Sequence, residues 1–175
     1  IALEICAADF GQGMQEALDP NSRINHFGAD AVLLALDHRG LPFRSSVADR
    51  WPPYDCGRAL ADLSTMREGF RRNGGAISLV QTLPSPAELL FGSLDAAMAG
   101  SLRSAIAKFN AALAEDVPQR GDLLIDVAWL AQSVGLDHWY DHRNWYIARL
   151  PFAQKVLPLY ADFVARVPAA MRGKA

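Results

Sequence analysis

The densest group of reactive side chains in this 175-residue sequence is Asp137-His138-Trp139-Tyr140-Asp141-His142-Arg143-Asn144-Trp145. His138 and His142 stand four apart, so on a helix they share a face and with Asp141 make the start of a metal site. No third ligand follows at a fixed spacing, so no metal is assigned. The same cluster serves as a polar rim over packed Trp and Tyr side chains, or as the wall of a ligand pocket. Two smaller groups, Asp37-His38-Arg39 and Gln81-Thr82, each follow an apolar run of strand length. Arg39 and Arg143 carry planar forks that take a phosphate or carboxylate bidentately, or else remain solvated surface. Asn110, in an otherwise amphipathic stretch, reaches the same rim or faces water. The candidate substrate-binding residues are therefore Asp37, Arg39, Gln81, Thr82, Asn110 and Arg143. Asp141, His142 and His138 are the candidates for acid–base work. Ser45 and Ser46, in a proline-bearing loop, are the hydroxyls nearest that edge.

The elements that must position these groups are legible as apolar runs. Ala31–Leu36, Ala76–Val80 and Leu123–Val127 read as strands buried on both faces, and Ala2–Cys6 as a half-buried strand. Between them Leu60, Leu63, Met66 and Phe70 recur at three and four, which predicts a helix over 58–72 that Asn73-Gly74-Gly75 closes. Further helices are predicted over 14–18, 94–115, 129–134 and 152–166, with Ser22 placed to cap the segment after the Asp19-Pro20 turn. Residues 41–57 and 137–146 read as loops. Alternating strands and helices imply an α/β fold: one domain, 1–175, with a three-layer parallel sheet and right-handed crossovers. In such sheets ligands bind beyond the strand C-termini, and that is where the three polar groups converge.

Composition narrows the function classes. Apolar residues make up 51% and charged residues 21%, an ordinary globular balance, and the net charge of −2 offers nucleic acid or an anionic membrane no attraction. No apolar run approaches the ~18–20 residues of a membrane span, and no secretion signal is present, so the expected location is cytoplasmic. Cys6 and Cys56 form neither a CxxC nor a disulfide framework and read as reduced thiols. Walker A, GxGxxG and GxSxG signatures are absent, and so is the DxDx[TV] strand end of haloacid-dehalogenase (HAD) type phosphatases. The strand-like opening and the polar tail Arg172-Gly173-Lys174-Ala175 suggest a domain of a longer protein.

Three stretches carry a family resemblance. Phe10-Gly11-Gln12-Gly13-Met14-Gln15-Glu16-Ala17-Leu18-Asp19-Pro20-Asn21-Ser22 with Asp30–Asp37, and Trp139–Phe152, resemble the N-terminal domain of FkbH-type proteins. That resemblance implies an SGNH-hydrolase-like, flavodoxin-like fold preceding a HAD-type phosphatase domain. It implies work on a phosphorylated three-carbon unit, with an acyl carrier protein as a partner in polyketide or related biosynthesis. Mg²⁺ is then expected only in the following domain, and no cofactor in this one. The usual SGNH pattern is departed from twice. The first strand, which bears the nucleophilic Ser, is missing ahead of what resembles the second. Asp141 is followed at the catalytic spacing by Asn144 rather than His, so the usual triad does not assemble. In the SGNH order the first strand lies between the second and third. Its loss predicts a gap between Ala2–Cys6 and Ala31–Leu36, filled by a preceding segment or another chain. Three readings remain: an accessory domain that positions substrate or carrier, a divergent esterase or acyltransferase with its nucleophile upstream of residue 1, and a non-catalytic interaction domain.

Overall fold

In the computed structural model, residues 3–44, 53–171 and 173 are described. Three strands, β1 (Ala31–Leu34), β2 (Ile77–Gln81) and β3 (Leu123–Ile125), form one parallel sheet in the order β1-β2-β3. Ala31 lies opposite Ile77, and Leu79 opposite Leu123. Side chains on a strand alternate between faces, so each strand feeds two cores. Leu34 and Val80 enter one core with helices α1 (Gly13–Leu18), α3 (Gly57–Gly74) and α4 (Leu102–Gln119), whose Leu63, Phe70, Phe109 and Leu113 are buried there. Leu79 and Ile125 enter the other with α5 (Val127–Val134), α6 (Leu136–Trp139) and α8 (Leu157–Met171), around Trp139 and Phe152. The result is a three-layer α/β arrangement. Among the described residues no helix is long and apolar enough to cross a membrane.

Local chemistry fixes the helix ends. Ser22 caps α2 (Arg23–Phe27) by accepting from Asn25 N, and Gly75 closes α3 in the left-handed region at φ 70°. The α1–α3 contact requires a residue without a side chain. A Cβ on Gly69 would stand 2.6 Å from the Ala17 carbonyl oxygen. Cys56 is buried ahead of α3, and burial pushes its thiol up; Cys6 is half-buried, and neither is bridged.

Several boundaries differ from the sequence reading, each for a physical reason. Leu3–Cys6 forms no strand, and Leu3 and Ile5 are 65% and 75% exposed. An extended run with no partner leaves its backbone groups to water and forms no ladder. Among the described residues none pairs with the outer edge of β1, and with no strand over 3–6 the far side of the expected gap is not formed. The helix predicted over 94–115 is two pieces, a 3₁₀ turn Gly92–Ala96 and α4. Gly100 at φ 88° breaks it, and Ser101 starts α4 anew by accepting from Ser104 N. The strand predicted to Val127 stops at Ile125, because Asp126 accepts from Trp129 N and begins α5. The predicted loop 137–146 holds α6 and α7 (His142–Ala148), parted by extended Tyr140. The last helix starts at Leu157 after a 3₁₀ turn, Gln154–Val156, and runs on to Met171.

Candidate functional site

Beyond β1 the chain turns at Asp37, whose Oδ1 accepts from Arg39 N at 2.9 Å and Gly40 N at 3.2 Å. This side-chain turn holds a carboxylate that is only 9% exposed. Its Oδ2 is buried without a hydrogen-bond partner among the described residues, and Arg39 Nη1 stands 3.8 Å away. At the end of β2, Gln81 Nε2 donates to Leu36 O at 2.7 Å, and its Oε1 accepts from Tyr160 Oη on α8 at 2.8 Å. Gln81 therefore ties the end of β1 to the opposite layer. Asp37, His38, Gln81, Tyr140, Phe152 and Tyr160 help line a cavity of about 20 Å³. That is room for one water-sized polar group.

The electrostatics follow from burial. Burial lowers the His38 pKa from 6.5, against the Asp37 carboxylate that raises it and with Arg39 that lowers it. The imidazole is thus neutral near pH 7 and able to donate or accept. Tyr140 is raised above the ordinary phenol range, first by burial and then by Asp37, and its hydroxyl donates to Ser85 O at 2.8 Å. Burial alone pushes Tyr160 up to about 12. The cavity lining thus offers a carboxylate, a neutral imidazole, an amide and two phenols as binding groups.

Outside the cavity the rim is aromatic and cationic. The Arg39 guanidinium carbon lies 4.9 Å from the Trp145 ring centroid, and that of Arg149 lies 5.6 Å from the same ring. Phe10 meets Trp145 edge-on at 6.3 Å and carries Arg149 at 6.0 Å.

Asp37, Arg39 and Gln81 are thus brought together. Thr82 and Asn110 are near that edge with their polar atoms already engaged. Thr82 Oγ1 donates to Asp126 Oδ1 and accepts from Ala128 N, both at 2.9 Å. Asn110 is half-buried and spends its amide on the backbone. It accepts from Leu83 N and donates to Leu83 O, each at 2.8 Å. Asp141 accepts from Arg143 N at the head of α7. His138, His142 and Arg143 are exposed, and the break at Tyr140 removes the shared helical face expected of the two histidines. His142 Nδ1 stands 3.9 Å from Glu88. Among the described residues no three His, Cys, Asp or Glu side chains are placed to hold a metal ion. Ser45 and Ser46 lie outside the described residues.

Sequence reasoning missed Tyr160 and Arg149 as site residues, and named Tyr140 only as part of the cluster over 137–145. Tyr160 gave no signal, since an aromatic on an amphipathic helix reads as core. Arg149 had one, its place four residues after Trp145, which is stacking distance on a helix.

No family model matches the chain, and no curated protein does. A solved structure is similar: the N-terminal part of the protein BF1531 from Bacteroides fragilis, described as containing a phosphatase domain and complexed with Mg. The two agree with a TM-score of 0.80 over 98% of this chain at 16% identity, and this chain spans 45% of that one. At that identity the likeness establishes the fold: the chain has the architecture of less than half of the N-terminal part of BF1531, in keeping with its resemblance to FkbH-type N-terminal domains.

Proposed function

We propose that this chain is an accessory domain working beside a phosphatase domain in the same protein. The supporting observation is the pairing of near-complete coverage of this chain with 45% coverage of a neighbour described as containing a phosphatase domain. The sequence has no DxDx[TV] motif of its own, so the remaining part of such a protein would carry the phosphoryl chemistry and its Mg²⁺. The cleft at the strand ends supplies what an accessory domain needs. A buried carboxylate, a neutral imidazole and two arginines hold and orient a ligand. The finer reading follows the FkbH-type resemblance: the domain positions a phosphorylated three-carbon substrate, or the acyl carrier protein that receives it, in the SGNH-like cleft.

The test uses the full protein encoded by the gene. A DxDx[TV] segment in the same reading frame is expected. Deleting this domain should leave kcat on p-nitrophenyl phosphate unchanged while raising KM for a carrier-bound or three-carbon phosphoester. A reading frame without that motif, or kinetics indifferent to the deletion on both substrates, would overturn the proposal.

A further inference from the structure

Arg149 is the one non-glycine residue with positive φ among the described residues, at 54°. It occupies the position after α7 where glycine is the ordinary choice, because a Cβ there meets the backbone. Strain of this kind persists where the surroundings impose it, and here it accompanies a guanidinium laid on Trp145 and Phe10. Arg39 reaches the same indole from the end of β1. Among the described residues neither guanidinium makes a hydrogen bond, and the nearest carboxylate to Arg39 is 3.8 Å away. A guanidinium packed against an aromatic ring keeps its in-plane N–H donors available to a ligand.

We propose that Arg39 and Arg149, held on Trp145 at the mouth of the Asp37 cleft, clamp the phosphate of a phosphorylated small molecule. One guanidinium satisfies both oxygens of a carboxylate. A phosphate monoester has a third terminal oxygen and a second charge, and so uses the second arginine. The clamp gives the proposed accessory site its ligand class. It rests on that reading only for its place in a larger protein, and it can fail while the kinetics of the full protein stand.

Titration of the 175-residue chain with inorganic phosphate, and with acetate at matched ionic strength, tests it. The probes are the Arg39 and Arg149 Nε–H and Trp145 indole N–H NMR signals. Saturable shifts confined to these residues are expected with phosphate, with weaker binding of acetate. Arg39→Gln should weaken phosphate at least about tenfold, and Arg166→Gln on α8 should change nothing. Arg149→Gly separates clamp from scaffold, because it relieves the backbone while removing the charge. It should raise the thermal midpoint and lower phosphate affinity by a similar factor. Unsaturable shifts, acetate binding as tightly as phosphate, or native affinity in both Arg39→Gln and Arg149→Gly would overturn the proposal.

Discussion

His38 is where a single proton reports on the cleft. It follows a buried carboxylate, and burial outweighs that carboxylate, so the folded pKa lies below 6.5. The unfolded chain then takes the proton first as pH falls. Stability is fully present above pH 6.5 and is lost as pH drops from there through the folded value. Urea unfolding at pH 7.5 and 5.5 should show that loss, and His38→Gln should reduce it. Asp37→Asn removes the one influence that raises His38, so the imidazole should titrate lower still. NMR titration of His38 at or above 6.5 would refute the burial argument.

At the scale of elements, Asn110 shows how a side chain that reads as a rim ligand becomes a joint. It holds the Leu83 N–H and C=O, just past β2, to the middle of α4. Asn110→Ala leaves both backbone groups without their partner, which costs about 2–6 kcal/mol at ~1–3 kcal/mol for each. Chemical denaturation should register that loss, while phosphate binding in the folded variant stays native. Loss of binding without loss of stability would return Asn110 to the rim. The same distinction explains what was legible in the sequence. The three strands and α3 follow from runs such as Ala31–Leu34 and from the spacing of Leu63, Met66 and Phe70, because burial itself writes that pattern. The strand expected at Ala2–Cys6 failed among its described residues because alternation does not say whether a partner exists. Asp37, Arg39 and Gln81 were named for their place after strands, and the fold sets them beside one another. Tyr160 was not, since its hydroxyl meets Gln81 only once α8 has packed, 79 residues along the chain.

At the scale of the whole molecule, the cleft is only as rigid as the opposite end of the sheet. There Asp122, its side chain 0% exposed, accepts from Ser78 N on β2 and from Arg67 Nε and Arg71 Nη2 on α3. Arg67, 2% exposed, also reaches Asp116 on α4, and Arg120 joins Asp116 to Glu68. Burial alone would raise Asp116, but hydrogen bonds from Arg67 and Arg120 prevail and hold it below the ordinary carboxylate range. One carboxylate thus binds β2, the start of β3 and α3, and the network carries the tie to α4. Asp122→Ala takes from buried Arg67 its fully buried partner, leaving it only half-exposed Asp116, and leaves Ser78 N–H unpaired, a loss of up to about 3–5 kcal/mol. A domain of this size has about 5–15 kcal/mol to lose, so the variant should be severely weakened. Asp162→Ala, which breaks an exposed pair with Arg166, should cost no more than about 1 kcal/mol. If the sheet and its two cores unfold as one unit, far-UV dichroism and the fluorescence of buried Trp139 should report the same lowered midpoint in Asp122→Ala. Two separate midpoints would mean that the network steadies only its own end. A cost near that of Asp162→Ala would mean that water already serves Arg67.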